Sequence, residues 1–173
     1  MRTSILGFLA IMSACSIVQA ADDASIKKLV KANVEELNAA LLKEDFAKAV
    51  SLTYPKLVKM AGGTKSLIES MESGTKSMNA MGISISSVVT NEPSGLLKSG
   101  NDLYTVVPFT LKMTVPNGTM RVKSFVIGVS SDQAKTWTFV NGDIEDEALK
   151  QVLPDLPKEL KLPPKQKPQL EKN

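Results

Sequence analysis

The chain has 173 residues, a formal charge of +3, no histidine and one cysteine, Cys15. Beyond that cysteine it lacks the imidazole and thiolate groups on which most hydrolytic, redox and metal chemistry near neutral pH depends. Lysine supplies nearly all the positive charge, and no basic run carries interleaved aromatics, which argues against a nucleic-acid partner.

Met1-Arg2-Thr3-Ser4 precedes an apolar run over residues 5–14. A short positive region before such a run is the pattern of a secretory signal, too short to span a bilayer. Cleavage is expected after Ala20, with Val18 and Ala20 in the small-residue positions. Residues 1–20 then form a signal peptide, and the mature chain is periplasmic or extracellular. Met12-Ser13-Ala14-Cys15 offers an alternative, since it resembles a bacterial lipobox in which Cys15 is lipidated and anchors the chain to a membrane. Neither route leaves a disulfide to stabilise the domain.

Residues 25–43 place Ile26, Leu29, Val30, Val34, Leu37, Ala40 and Leu41 at helical spacing, with Ser25 or Asp23 as cap. A short second helix over residues 44–53 carries Phe46, Ala49 and Val50 and is limited by Pro55. Leu57, Val58 and Met60 add a turn that ends at Gly62-Gly63. A third helix starts at Thr64 or Ser66, stripes Leu67, Ile68, Met71, Thr75 and Met78 along one face, and stops at Gly82.

After Gly82 the apolar period becomes two. Ile83, Ile85 and Val89 alternate with polar residues, and residues 96–98 form a short strand. Residues 103–115 form a long strand with Leu103, Val107, Phe109, Leu111, Met113 and Val115 on one face. Asn117-Gly118 marks a hairpin into residues 119–131, and residues 136–140 complete the strands. Pro108 requires an edge position or a bulge. A last helix over residues 145–152 precedes a Pro/Lys-rich tail, residues 154–173, expected to be disordered. The domain proper is residues 21–153, with an α+β fold: N-terminal helices packed on a curved antiparallel sheet of four to five strands.

This order, together with Lys43-Glu44-Asp45-Phe46, Thr53-Tyr54-Pro55 and Gly62-Gly63, resembles the nuclear transport factor 2-like (NTF2-like) superfamily, which includes ketosteroid isomerases and SnoaL-type cyclases. The resemblance covers about residues 25–152, and similar stretches occur in exported, uncharacterised bacterial proteins that look like members. It implies a cone with a pocket between the helices and the sheet, for which Tyr54, Met71, Phe109, Met113 and Trp137 are the ligand-pocket candidates. Enzymes of the superfamily use a carboxylate base inside the cone, and the expected strand interiors here contain no Asp or Glu. No catalytic residue, metal ligand or cofactor is therefore assigned.

The expected function is binding of a small apolar ligand or an envelope protein. The alternatives are an interaction module that homodimerises or docks through the outer sheet face around Tyr104 and Lys112, and an isomerase- or cyclase-like enzyme. Residues 130–137 resemble the Asp-box turn of sialidase-like propellers, with Ala134 at its glycine. A single copy reads as a hairpin-stabilising turn. Asp143, Glu145, Asp146 and Glu147 read as favourable charge at a helix start.

Overall fold

A computed structural model describes residues 15–171, with side chains described from Asp23 onward. Residues 1–14, and with them most of the expected signal segment, lie outside the described residues. The helix α1 spans Cys15–Leu42. It begins ten residues before the expected start, because no proline or glycine interrupts residues 15–42. Asp23 and Ser25 are therefore interior to the helix, not caps, and the expected cleavage point after Ala20 falls within it.

Glu44 adopts a left-handed conformation (φ 57°) that ends the turn after α1. The short helix α2, Phe46–Ser51, follows, capped by the Asp45 carboxylate, which accepts from Lys48 N at 3.1 Å. Pro55 opens a helix of its own, α3 (Pro55–Met60), at the position where its missing N–H costs nothing. Gly62 and Gly63, at φ 88° and 96°, turn the chain into α4, Thr64–Ala80. Among the described residues four helices thus precede the sheet, one more than the periodicity alone suggests.

The sheet is six-stranded, antiparallel, curved and open. Its strands are β1 (Ser84–Thr90), β2 (Leu97–Ser99), β3 (Asp102–Val115), β4 (Gly118–Ser130), β5 (Thr138–Asn141) and β6 (Gln169–Glu171). The two long strands, β3 and β4, pair along their whole length from Leu103↔Ser130 to Val115↔Gly118. β1 and β2 share the free edge of β3, and β5 and β6 share that of β4. The β3–β4 loop is Pro116-Asn117, one residue earlier than an Asn-Gly turn. Proline fixes a negative φ at the first loop position, so the positive φ (141°) falls on Gly118 as it enters β4.

Pro108 lies in a central strand, contrary to the expectation of an edge or bulge site. In an antiparallel strand the N and O of one residue face the same neighbour. The Pro108 carbonyl accepts from Asn91 N in the gap between β1 and β2, so no ladder bond needs its missing N–H. The bulge is in β1 instead, between Ile85 and Ser87.

Two apolar layers sandwich the sheet. On the concave face, Val30, Val34 and Leu37 of α1 pack with Ala49, Val107, Phe109, Val126, Trp137 and Phe139. On the outer face, Tyr104, Val106, Phe125, Ile127, Val129 and Val140 pack beneath Leu149 and Val152 of α5 (Asp146–Val152) and beneath Leu153 and Leu160. The tail continues over this layer and along β4. Leu160 is buried, Lys165 Nζ reaches the Ile144 carbonyl at 2.9 Å and Asp146 at 3.1 Å, and β6 pairs with residues 119–121 of β4. Arg121 closes this strap on Glu171 at 3.0 Å. Spaced leucines between the prolines supply the burial that proline and lysine content alone does not reveal.

Candidate functional site

A cavity of about 350 Å³ lies between the helices and the concave face of the sheet. α1 contributes Leu37, Asn38 and Leu41, and α2 with its C-terminal extension contributes Ala49 and Thr53. Leu57 of α3 and Leu67 and Met71 of α4 form a second wall. The floor is the sheet: Phe109, Val126, Phe139 and Asn141. Helical spacing puts Leu37 and Leu41 one turn apart on α1, with Asn38 beside them on the flank that faces β1. Leu67 and Met71 are likewise one turn apart on α4. That helix has no fully buried residue, so it borders the cavity with a half-buried stripe.

Among the described residues no ionisable side chain lines this space; its polar groups are two carboxamides and a hydroxyl. Asn38 is 5% exposed and donates from Nδ2 to Thr90 Oγ1 at 3.0 Å, which ties α1 to β1. Its Oδ1 has no hydrogen-bond partner among the described residues. Thr53 Oγ1 donates to the Ala49 carbonyl at 3.0 Å, leaving its lone pairs free. Asn141 Oδ1 accepts from Asp143 N at 2.9 Å. Thr53 is held against the floor by a parallel bridge to Phe139, where Tyr54 N donates to the Phe139 carbonyl and Phe139 N to that of Leu52.

Of the five pocket candidates, the structure brings Met71 and Phe109 together on this cavity. Trp137 is in the same apolar layer, 3% exposed, but does not line the cavity, and its Nε1 is buried without a partner among the described residues. Met113 is half-buried farther along β3, opposite Met120. Tyr54 turns away to pack against the outer layer and lines a separate cleft of about 420 Å³ with Lys56, Val129 and Asp132. Asn38, Thr53 and Asn141 are the residues sequence reasoning missed. The one signal for Asn38 was a polar residue beside an apolar helical stripe.

Tyr104, expected on an accessible outer surface, is 2% exposed beneath the C-terminal segment. Burial, reinforced by the nearby Asp102 charge, pushes its phenol up to about 12. Burial also raises Tyr54, followed by the charges of Asp102 and Asp155. Lys112 is exposed on that face and stands opposite Arg121, which is engaged by Glu171. The outer face is therefore closed around Tyr104, while Lys112 at the hairpin end is exposed.

The Asp132 carboxylate organises the turn before Trp137. It is pulled down to about 2, first by the Thr136 backbone N–H, then by the Thr136 and Ser130 hydroxyls. Ala134, at φ 68°, takes the left-handed conformation that glycine would favour there. In the acidic cluster, Asp143 accepts from Ser124 and Asp146 pairs with Lys165. No group of three or more candidate metal ligands occurs among the described residues. No described helix is long and apolar enough to cross a membrane. No protein-family model matches the chain, and no curated protein matches it.

Proposed function

We propose that this chain is an exported NTF2-like domain that binds a small, largely apolar ligand in the cavity between α1, α2–α4 and the concave sheet face. The observation that carries the reading is the composition of that cavity: about 350 Å³, walled by aliphatic and aromatic side chains, with three uncharged polar residues. Pockets with these dimensions and few polar groups are the usual form of small-molecule sites. The order of helices before a curved antiparallel sheet supports the superfamily reading, and the apolar run over residues 5–14 supports export. With no acid or base on its walls, the cavity is suited to holding a ligand rather than moving its protons.

The test is native mass spectrometry of protein purified from its own cells, followed by denaturing mass analysis. An adduct lost on denaturation, and absent from a Met71→Trp variant that narrows the cavity, supports the pocket. Its absence, together with failure of the protein to take up an apolar fluorescent probe such as N-phenylnaphthylamine, would sink the reading. The denatured mass also separates cleavage after Ala20 from acylation at Cys15.

A further inference from the structure

A second concavity opens where β4 and β5 meet the junction of α2 and α3. Val129 of β4 pairs with Thr138 of β5, and Ser131 and Thr136 each stand two residues away along the chain, so alternation puts all four on the outer face. The bridge of Thr53 to Phe139 lays Tyr54, Pro55 and Lys56 alongside them as one wall. The turn over residues 130–136 is the other. There Asp132 accepts from the Ser130 hydroxyl at 2.9 Å, the Thr136 N–H at 2.9 Å and the Thr136 hydroxyl at 2.7 Å. The resulting cleft measures about 420 Å³ and shares no lining residue with the apolar cavity.

The lining divides by chemistry. Tyr54, Pro55 and Val129 make an apolar strip of two rings and a branched side chain. Around it Lys56 brings donors only and Asp132 acceptors only, while the hydroxyls of Ser131 and Thr138 serve as either. The Thr136 proton is committed to Asp132, so that hydroxyl adds lone pairs. Lys56 and Ser131 are exposed and can exchange water for a ligand. An anion would meet one ammonium offset by a fixed carboxylate, and a cation would meet a carboxylate that already accepts three hydrogen bonds. An apolar ligand would cover five polar side chains without pairing them. A sugar suits the set, since each of its hydroxyls both donates and accepts and its ring carries an apolar C–H face. We propose that this cleft binds a neutral saccharide, with one pyranose ring along Tyr54 and Pro55 and its hydroxyls on Lys56, Asp132, Ser131 and Thr138. At about 30 Å³ per water-sized group the cleft holds roughly fourteen such groups, the scale of one sugar ring with a substituent, so a longer glycan is gripped by a single unit.

The test is an NMR chemical-shift titration of the full-length protein with cellobiose, lactose and chitobiose, and with glucuronate, inorganic phosphate and cyclohexanol for comparison. The expected result is that at least one of the three neutral sugars binds and moves the Tyr54 ring and the Ser131 and Thr138 amides. Cyclohexanol, a ring with one hydroxyl, should bind about tenfold more weakly. Lys56→Met should weaken the bound sugar about three- to tenfold, the equivalent of one hydrogen bond, and Tyr54→Ala about tenfold. If Tyr54→Ala does not fold, Lys56→Met decides alone, because Lys56 is exposed. An affinity unchanged by Lys56→Met overturns the assignment, as does a failure of all three sugars to bind. Tighter binding of glucuronate or phosphate refutes it in favour of an anion site at Lys56. Displacement of N-phenylnaphthylamine by the sugar would place the sugar in the apolar cavity and refute the cleft alone. Sugar binding by a protein that takes up no apolar probe would uphold the cleft while the apolar cavity reading fails.

Discussion

Replacing Ala49 by Leu tests whether the cavity is space kept open for a ligand. Ala49 is fully buried and lines the cavity from α2. The substitution adds three carbons, and at about 0.8 kcal/mol per buried methylene it would gain about 2.4 kcal/mol. Ordering the longer side chain costs about 0.5–1 kcal/mol. The net expectation is stabilisation by about 1.5 kcal/mol, provided the new side chain enters the empty volume. In a filled core the same change would overpack and destabilise by about 1–3 kcal/mol. The two cases thus differ in sign. Urea unfolding followed by the fluorescence of Trp137, the one tryptophan and itself buried, reads the change directly. The same variant should lose uptake of apolar probes. Destabilisation of 1 kcal/mol or more would refute the cavity. Stabilisation with probe binding intact would show that the ligand sits elsewhere.

Tyr54 and Tyr104 are the two tyrosines, so absorbance titration of tyrosinate is easily assigned. Neither should ionise at the ordinary value near 10, and Tyr104 should titrate at about 12. A raised folded value means the stabilisation from Tyr104 is complete below about pH 10 and is lost as pH rises toward 12, and Tyr104→Phe should remove that alkaline dependence. Asp132 has the opposite sign: its folded value of about 2 lies below the unfolded one, so its contribution holds above about pH 4 and fades as pH falls through 2. The Tm gap between wild type and Asp132→Asn should accordingly shrink between pH 5 and pH 2, and a gap independent of pH would contradict the assigned hydrogen bonds. Leu160→Ala should cost about 2–3 kcal/mol in urea unfolding, because Leu160 seals the outer layer; a cost below about 0.5 kcal/mol would mean the strap contributes nothing.

The concave half of the fold was legible because each of its elements buries one stripe. Val30, Val34 and Leu37 on α1, and Val107, Phe109 and Leu111 on β3, recur at the period of their element. The outer half was not, since the face of β3 that begins with Tyr104 and Val106 ends with Thr110 and Lys112. Cover by α5 and the tail reaches only the first part, and no local period encodes where that cover stops. Leu153, Leu156 and Leu160 carried the missing signal, but their prolines and lysines mimic a chain with nothing to bury. The cavity was half legible: Met71 and Phe109 follow from stripes, whereas Asn38 and Thr53 are brought together only when α1, α2 and β5 pack. Tyr54 was misplaced because the direction of its side chain depends on the bridge to Phe139, a contact between residues 86 positions apart in the chain.

The two faces of the sheet meet opposite demands, and the contrast bears on where binding belongs. The outer layer is closed by residues from three separate stretches, and its large polar side chain, Tyr104, is sealed with its proton retained. The concave layer could close in part, since the three carbons a leucine adds at position 49 would take up about a quarter of the gap. Instead it keeps alanine at a fully buried site and a void beside it. For a domain whose net stability is about 5–15 kcal/mol, leaving about 1.5 kcal/mol unused is a substantial fraction. An occupant that fills the void recovers that loss, so ligand binding and folding draw on the same contacts.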